Sequence, residues 1–245
     1  MKAKGVKFLK PADVLIEELV LANRILANER VVDGFGHVSV RHDKDPTKFL
    51  MSCSCAPRLV TAKDILVFDL NSDPIVRTNR SLYSERFIHS EMYRARPDVQ
   101  SVVHCHSPLL IPFGVTKAPL RALANTAPFF GKGVPVFESR EIPGMISTLV
   151  QTPAQGKALA DKLADRLIVL MRGHGATVVG ASIRAVVETS IYAAVNAEIQ
   201  MNAMRLGEPV YFEDEEITLS LGAGQPRPVR LWEHWVEGLK MAGGC

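Results

Sequence analysis

Cysteine is scarce in this chain: Cys53, Cys55, Cys105 and Cys245 are the four in 245 residues, and their spacing matches neither a disulfide scaffold nor a C-x-x-C zinc or redox motif. Excess charge of one sign is missing too. The formal net charge is +3, with acidic and basic residues mixed throughout and no basic tract to follow a phosphate backbone, so nucleic acid is not an expected partner. No apolar run approaches the roughly 20 residues of a membrane span, so no crossing is expected. The opening M-K-A-K-G-V-K-F-L-K-P holds basic residues but no continuous apolar stretch before Pro11, and the protein reads as cytoplasmic. Repeats, heptads and low-complexity tracts are absent as well. What is left is a single α/β domain over 1–245, long enough for a sizeable core, with 208–245 as a C-terminal docking or subunit-contact tail.

The most informative stretch is 98–108, D-V-Q-S-V-V-H-C-H-S-P, where an apolar run ends in two histidines one residue apart. In a strand, period-two alternation sends His104 and His106 to one face with Val102, while Val103 and Cys105 point the other way. Such a pair holds a metal if the chain returns a third ligand. His174 in R-G-H-G is the candidate, flanked by Gly173 and Gly175 in a tight turn after the apolar run 167–171. Three imidazoles with an open position describe a catalytic metal site, and satisfied polar residues near a core would show the same letters.

Around this pair the chain alternates helix and strand signals. Residues 11–30 place Leu15, Leu19, Ala22 and Leu26 at helical spacing, which predicts an amphipathic helix covering a sheet. D-G-F-G-H-V-S-V-R follows, with Gly34 and Gly36 permitting a tight turn into the alternating segment 37–41. This places His37 and Arg41 beside a ligand or on a surface hairpin. Segments 49–51 and 65–70 read as short strands. Arg58, just past Pro57, either receives a carboxylate bidentately or is an ordinary solvated arginine. Segment 84–94 reads as a helix with Ser84 as N-cap and Glu85 in the first turn, one turn before His89 on the same face. Glu85 is then a cap residue or a general acid and base, and the nearby histidines favour chemistry.

Prolines 108, 112, 119, 128 and 135 exclude long regular elements there, and Phe113, Phe129, Phe130 and Phe137 fill the core or line a pocket. Thr152, Pro153 and Gln155 form a capping box that starts a helix running to about 165. Strand, turn and strand follow over 167–180, and Ser182 opens a long helix towards 206. The tail holds a proline-glycine stretch at 222–228, then Trp232 and Trp235, which favour docking onto the body or a neighbouring subunit.

G-H-V-S-V-R at 36–41, Ser84 with Glu85, H-C-H-S-P at 104–108 and R-G-H-G-A-T-V-V-G at 172–180 together resemble the class II aldolase and adducin family, over roughly 14–207. The resemblance implies a three-layer α/β/α fold with a largely antiparallel central sheet, in a homotetramer or higher homo-oligomer with sites between subunits. It implies one divalent metal ion per subunit, Mn2+ or Zn2+ or else Fe2+, on His104, His106 and His174. Glu85 would be the catalytic carboxylate, in some members a fourth ligand of the empty site.

This chain departs from the family's sugar-phosphate aldolases at several positions. They have asparagine where it has His37, a T-P-S-G phosphate loop where it has Ser52, Cys53, Ser54 and Cys55, and paired serines where it has Tyr83 and Ser84. Losing a glycine and replacing a serine by a ring dismantles two pieces of a phosphate cradle. The pattern is similar to the family's decarboxylase branch. The expected reaction is metal-dependent loss of CO2 from a hydroxylated aromatic or heteroaromatic dicarboxylate, such as 3-hydroxy-2-methylpyridine-4,5-dicarboxylate or 3,4-dihydroxyphthalate, or a related carboxylated ring-cleavage product. Glu85 and His37 would be catalytic, Tyr83 and Ser84 would meet the ring, and Arg58, Arg41 or Arg86 would hold the carboxylate that stays. The alternatives are an aldolase or epimerase acting on a small sugar-like or nonphosphorylated aldol, and a noncatalytic adducin-like binding module, which tends to lack the ligand histidines.

Overall fold

Strand side chains of this protein alternate between two cores, one on each face of a single sheet. The computed structural model describes residues 9–131, 133–145, 147–222 and 229–243. The basic lead-in before Leu9, nearly all of the proline-glycine stretch and Cys245 lie outside them. The strands are β1 (His37–Arg41), β2 (Lys48–Ser52), β3 (Ile65–Asp69), β4 (Ser101–Cys105), β5 (Val136–Phe137), β6 (Ile168–Met171) and β7 (Gly175–Gly180). The helices are α1 (Asp13–Asn28), α2 (Phe87–Ala95), α3 (Ile111–Val115), α4 (Pro153–Leu163), α5 (Ile183–Leu206), α6 (Asp214–Gly222) and α7 (Val229–Met241).

The strand order is β3-β2-β1-β4-β7-β6-β5. Neighbours pair antiparallel except β5 with β6, so the sheet is mixed, mostly but not wholly antiparallel as expected. The exception has a cause in connectivity: parallel neighbours need a crossover, and α4 supplies it between β5 and β6.

On one face Val38, Val40, Leu50, Val103, Ala176 and Val178 meet a core that includes Leu19, Ala22, Ile25 and Leu26 of α1, the inner side of α5 and the tryptophans of α7. On the other, Phe49, Met51, Val102, Val169 and Val179 pack under α2 and α4. Helices on both faces make three layers. The α1 stripe follows from its spacing, and each fully buried leucine contributes about 1.5–3 kcal/mol.

The local signals match unevenly. Thr152 accepts from the Gln155 amide at 3.3 Å while the Gln155 side chain accepts from the Thr152 amide at 3.1 Å, so α4 begins as expected. Helix α2 begins at Phe87 rather than Ser84, and no side chain caps it, because 84–86 form a turn that aims the Glu85 carboxylate away from the helix end. Phe113, Phe130 and Phe137 are buried in the cores. Trp232 and Trp235 are buried against the body, with Arg184 over the Trp232 ring at 5.3 Å. No helix among the described residues is long and apolar enough to cross a membrane.

Candidate active site

The register of β1 against β4 places His37 opposite His104, on the face that α2 covers. His106 follows just past the end of β4. Its Nε2 lies 3.0 Å from His104 Nε2 and 3.1 Å from His174 Nε2. His174 arrives on the turn between β6 and β7, where its amide donates to the Met171 carbonyl at 3.0 Å. Gly173 has φ +65, a left-handed conformation suited to glycine, and a Cβ on Gly175 would fall 1.9 Å from the Cys105 carbonyl oxygen. Both groups in that clash are backbone, so a side chain would have to part β4 from β7 between the histidines. Gly175→Ala is expected to lower stability by about 3 kcal/mol in chemical denaturation, and an unchanged midpoint would count against this close approach.

The outer ring nitrogens are also committed. His106 Nδ1 lies 3.1 Å from Asp33 Oδ1, and His174 Nδ1 lies 2.9 Å from the Thr148 carbonyl. With Nδ1 held in this way, His106 and His174 turn their Nε2 atoms towards each other. Glu85 Oε2 stands 3.4 Å from His174 Nε2 and 3.7 Å from His104 Nε2, while its Oε1 accepts from the Val150 amide at 2.9 Å. The ligand atoms of Glu85, His104, His106 and His174 lie within 4.8 Å of one another. Three imidazoles and a carboxylate converging in this way fit a divalent cation such as zinc or manganese. His104 Nδ1 is buried without a partner.

The electrostatics agree with this picture. Burial, with His37 alongside, drives His104 well below the ordinary histidine value. Burial acts downward at His174 too, but the Glu85 carboxylate outweighs it and the net shift is upward. For Glu85 burial acts upward, and the His174 contact, both histidine charges and the Val150 amide together hold it below the usual glutamate value.

Above the cluster opens a chamber of about 510 Å³. Phe35, Leu82, Tyr83 and Leu149 give it apolar walls, Ser54, Cys55 and Ser84 add small polar groups, and His37, Glu85, His106 and His174 face it. His104 lies fully buried beneath. The structure thus brings together every histidine singled out by the sequence, with Glu85, Tyr83 and Ser84.

It does not bring the arginines. Arg41 donates to the carbonyls of Pro46, Tyr93, Arg96 and Val99, and stacks at 4.7 Å over the Tyr93 ring. Arg86 donates to the carbonyls of Ser72 and Tyr83. Arg58 is exposed, with Nη2 3.5 Å from the Ala27 carbonyl. A guanidinium fork fits backbone carbonyls as readily as it fits a carboxylate, and residue type alone does not separate the two. Among the described residues no lysine or arginine lines the chamber.

Several contributors escaped the sequence reading. Asp33 Oδ1 accepts from the Phe35 and Gly36 amides as well as facing His106, so D-G-F-G is an aspartate-capped turn tied to the histidine cluster. Thr148 and Val150 act through the backbone, where side-chain identity leaves no trace. Cys53, Cys55 and Asp64 also converge. Asp64 already holds Thr61 and Arg80, and burial with Cys53 nearby pushes the Cys55 thiol up to about 11, so these groups are not set up as a second cation site.

A family model described as the class II aldolase and adducin N-terminal domain matches residues 17–201. Decarboxylase tropJ of Talaromyces stipitatus is 33% identical over 257 residues, covering 95% of this chain and 97% of that protein. The 3,4-dihydroxyphthalate decarboxylase of Arthrobacter keyseri is 27% identical over 205 residues, covering 78% and 79%. Among solved structures, an aldolase II superfamily protein from Pseudomonas syringae superposes with a TM-score of 0.79 at 21% identity, covering 96% of each chain.

Proposed function

Because the chain belongs to the class II aldolase and adducin family, we propose that it is a metal-dependent decarboxylase acting on a hydroxylated aromatic or heteroaromatic acid. The observation that carries this reading is the chamber: walls of aromatic and aliphatic side chains with small polar groups and, among the described residues, no lysine or arginine, set over the histidine and glutamate cluster. A flat ring suits the walls formed by Tyr83, Phe35 and Leu149.

His104, His106 and His174 would hold the ion, Zn2+, Mn2+ or Fe2+, which when bound supplies Lewis-acid polarisation of the substrate's ring oxygen and weakens the bond to the departing carboxylate. Tyr83 and Phe35 orient the ring, and His37 faces the carboxylate that leaves. Glu85, held as a carboxylate, takes the proton of the substrate's ring hydroxyl and delivers it, directly or through water, to the carbon that loses CO2. A cation on the leaving carboxylate would favour the substrate over neutral CO2, so a chamber lined, among the described residues, by no lysine or arginine suits the reaction. The second carboxylate of a dicarboxylate then takes its cation from a neighbouring subunit, in keeping with a homotetramer whose sites lie between subunits.

The test is a screen of hydroxylated benzene and pyridine carboxylates, including 3,4-dihydroxyphthalate, with the zinc- or manganese-loaded protein. We expect CO2 release matched by a product one carboxylate poorer. Aldehyde and ketone fragments from nonphosphorylated aldols, without CO2 from any acid, would replace this reading with an aldolase. A protein that binds no metal and turns over neither class would instead be an adducin-like binding module.

A further inference from the structure

A row of buried polar groups runs from the chamber into the protein. His37 Nδ1 lies 2.6 Å from His89 Nε2, His89 Nδ1 lies 2.6 Å from Ser39 Oγ, and Ser39 Oγ lies 2.7 Å from the Tyr93 hydroxyl. Alternation along β1 puts His37 and Ser39 on one face, and the spacing of α2 puts His89 and Tyr93 one turn apart above them. All four residues are almost fully buried, and Phe49 packs against His89 and Tyr93.

Proton counting gives this row a direction. Among the described residues Ser39 Oγ, at 2.7 Å, is the acceptor in reach of the Tyr93 phenol proton. If Ser39 donated to Tyr93 instead, that proton would be orphaned in the core, a loss larger than one hydrogen bond gains. Tyr93 therefore donates to Ser39, and the Ser39 proton goes to His89 Nδ1. Burial, with His104 near, holds His89 neutral by moving it down to about 3, so it carries one ring proton, on Nε2. That proton goes to His37 Nδ1. His37 keeps its own proton on Nε2, the ring nitrogen without a partner among the described residues.

We propose that Tyr93, Ser39 and His89 are positioning residues that lock His37 into the Nε2-protonated tautomer, so that His37 meets the substrate as a hydrogen-bond donor and not as a base. The role of that donor rests on the decarboxylase reading: it holds the departing carboxylate in place until the carbon–carbon bond breaks. The tautomer itself belongs to the free enzyme.

The experiment is 15N NMR of the intact, Zn2+-loaded protein labelled at histidine ring nitrogens, with His37 signals assigned by their loss in His37→Asn. Substrate is left out, so the tautomer is read independently of any activity. We expect a protonated Nε2 and a bare Nδ1 at His37. In Tyr93→Phe the tautomers become mixed, and kcat falls about tenfold with KM within about twofold. Ser39→Ala behaves alike, and Ser39→Thr, which keeps the hydroxyl, restores both readouts. A wild-type His37 protonated on Nδ1 overturns the proposal, even if the variants fail to fold. So does a Tyr93→Phe protein with unchanged tautomer and kcat. The expected tautomer in a protein that releases no CO2 from any acid supports the relay and sinks the decarboxylase reading instead.

Discussion

Exhaustive chelation is expected to abolish turnover, by about 10³-fold or more, and one equivalent of Zn2+ or Mn2+ per chain to restore it. The expectation rests on how the donor atoms converge. His106 and His174 have Nδ1 committed to Asp33 and Thr148, and their Nε2 atoms come within 3.1 Å of each other beside the Glu85 carboxylate. The carbanion left by carbon–carbon cleavage also needs an electron sink, and among the described residues lining the chamber no lysine or arginine offers one. Metal content and initial rate, measured on the same dialysed samples, should rise together. Full activity in protein shown to be metal-free would sink the mechanism.

Glu85→Gln is expected to lower kcat by about 10²–10⁴-fold while leaving metal content close to that of the unaltered protein. Glutamine has the same shape, and its carbonyl oxygen can still accept from the Val150 amide, which the Glu85 carboxylate does at 2.9 Å. It cannot carry a proton. Three histidines remain to bind the ion, so the loss should fall on turnover. Steady-state kinetics together with metal analysis separate the possibilities: an unchanged kcat moves the proton to another group, and a protein emptied of metal makes Glu85 chiefly a ligand.

The histidines that converge in the cluster were legible in the sequence because their signals are local. H-C-H needs only the two-residue period of a strand, and R-G-H-G announces a tight turn through its glycines. The cap of α4 was legible for the same reason. The surroundings were not, because they are built across the fold. His37 and His89 are 52 residues apart, and His106 and Asp33 are 73 apart. Arg41 and Arg86 were read as ligands for a substrate carboxylate because nothing in their neighbours says that backbone carbonyls already occupy them. Helix α2 starts late because Ser84 and Glu85 are drawn into the chamber wall, a tertiary demand that overrides a good local cap.

The pairing of His37 with His104 across β1 and β4 has a practical corollary for preparing this protein. A slip of one residue between these strands would turn His37 and Ser39 towards α1 and send Val38 and Val40 to the other side. Chains trapped in that isomer would still be collapsed and rich in sheet, yet catalytically silent. Specific activity therefore counts correctly aligned molecules, which neither circular dichroism nor solubility does, and it is the measure by which refolding yield of this protein is best judged.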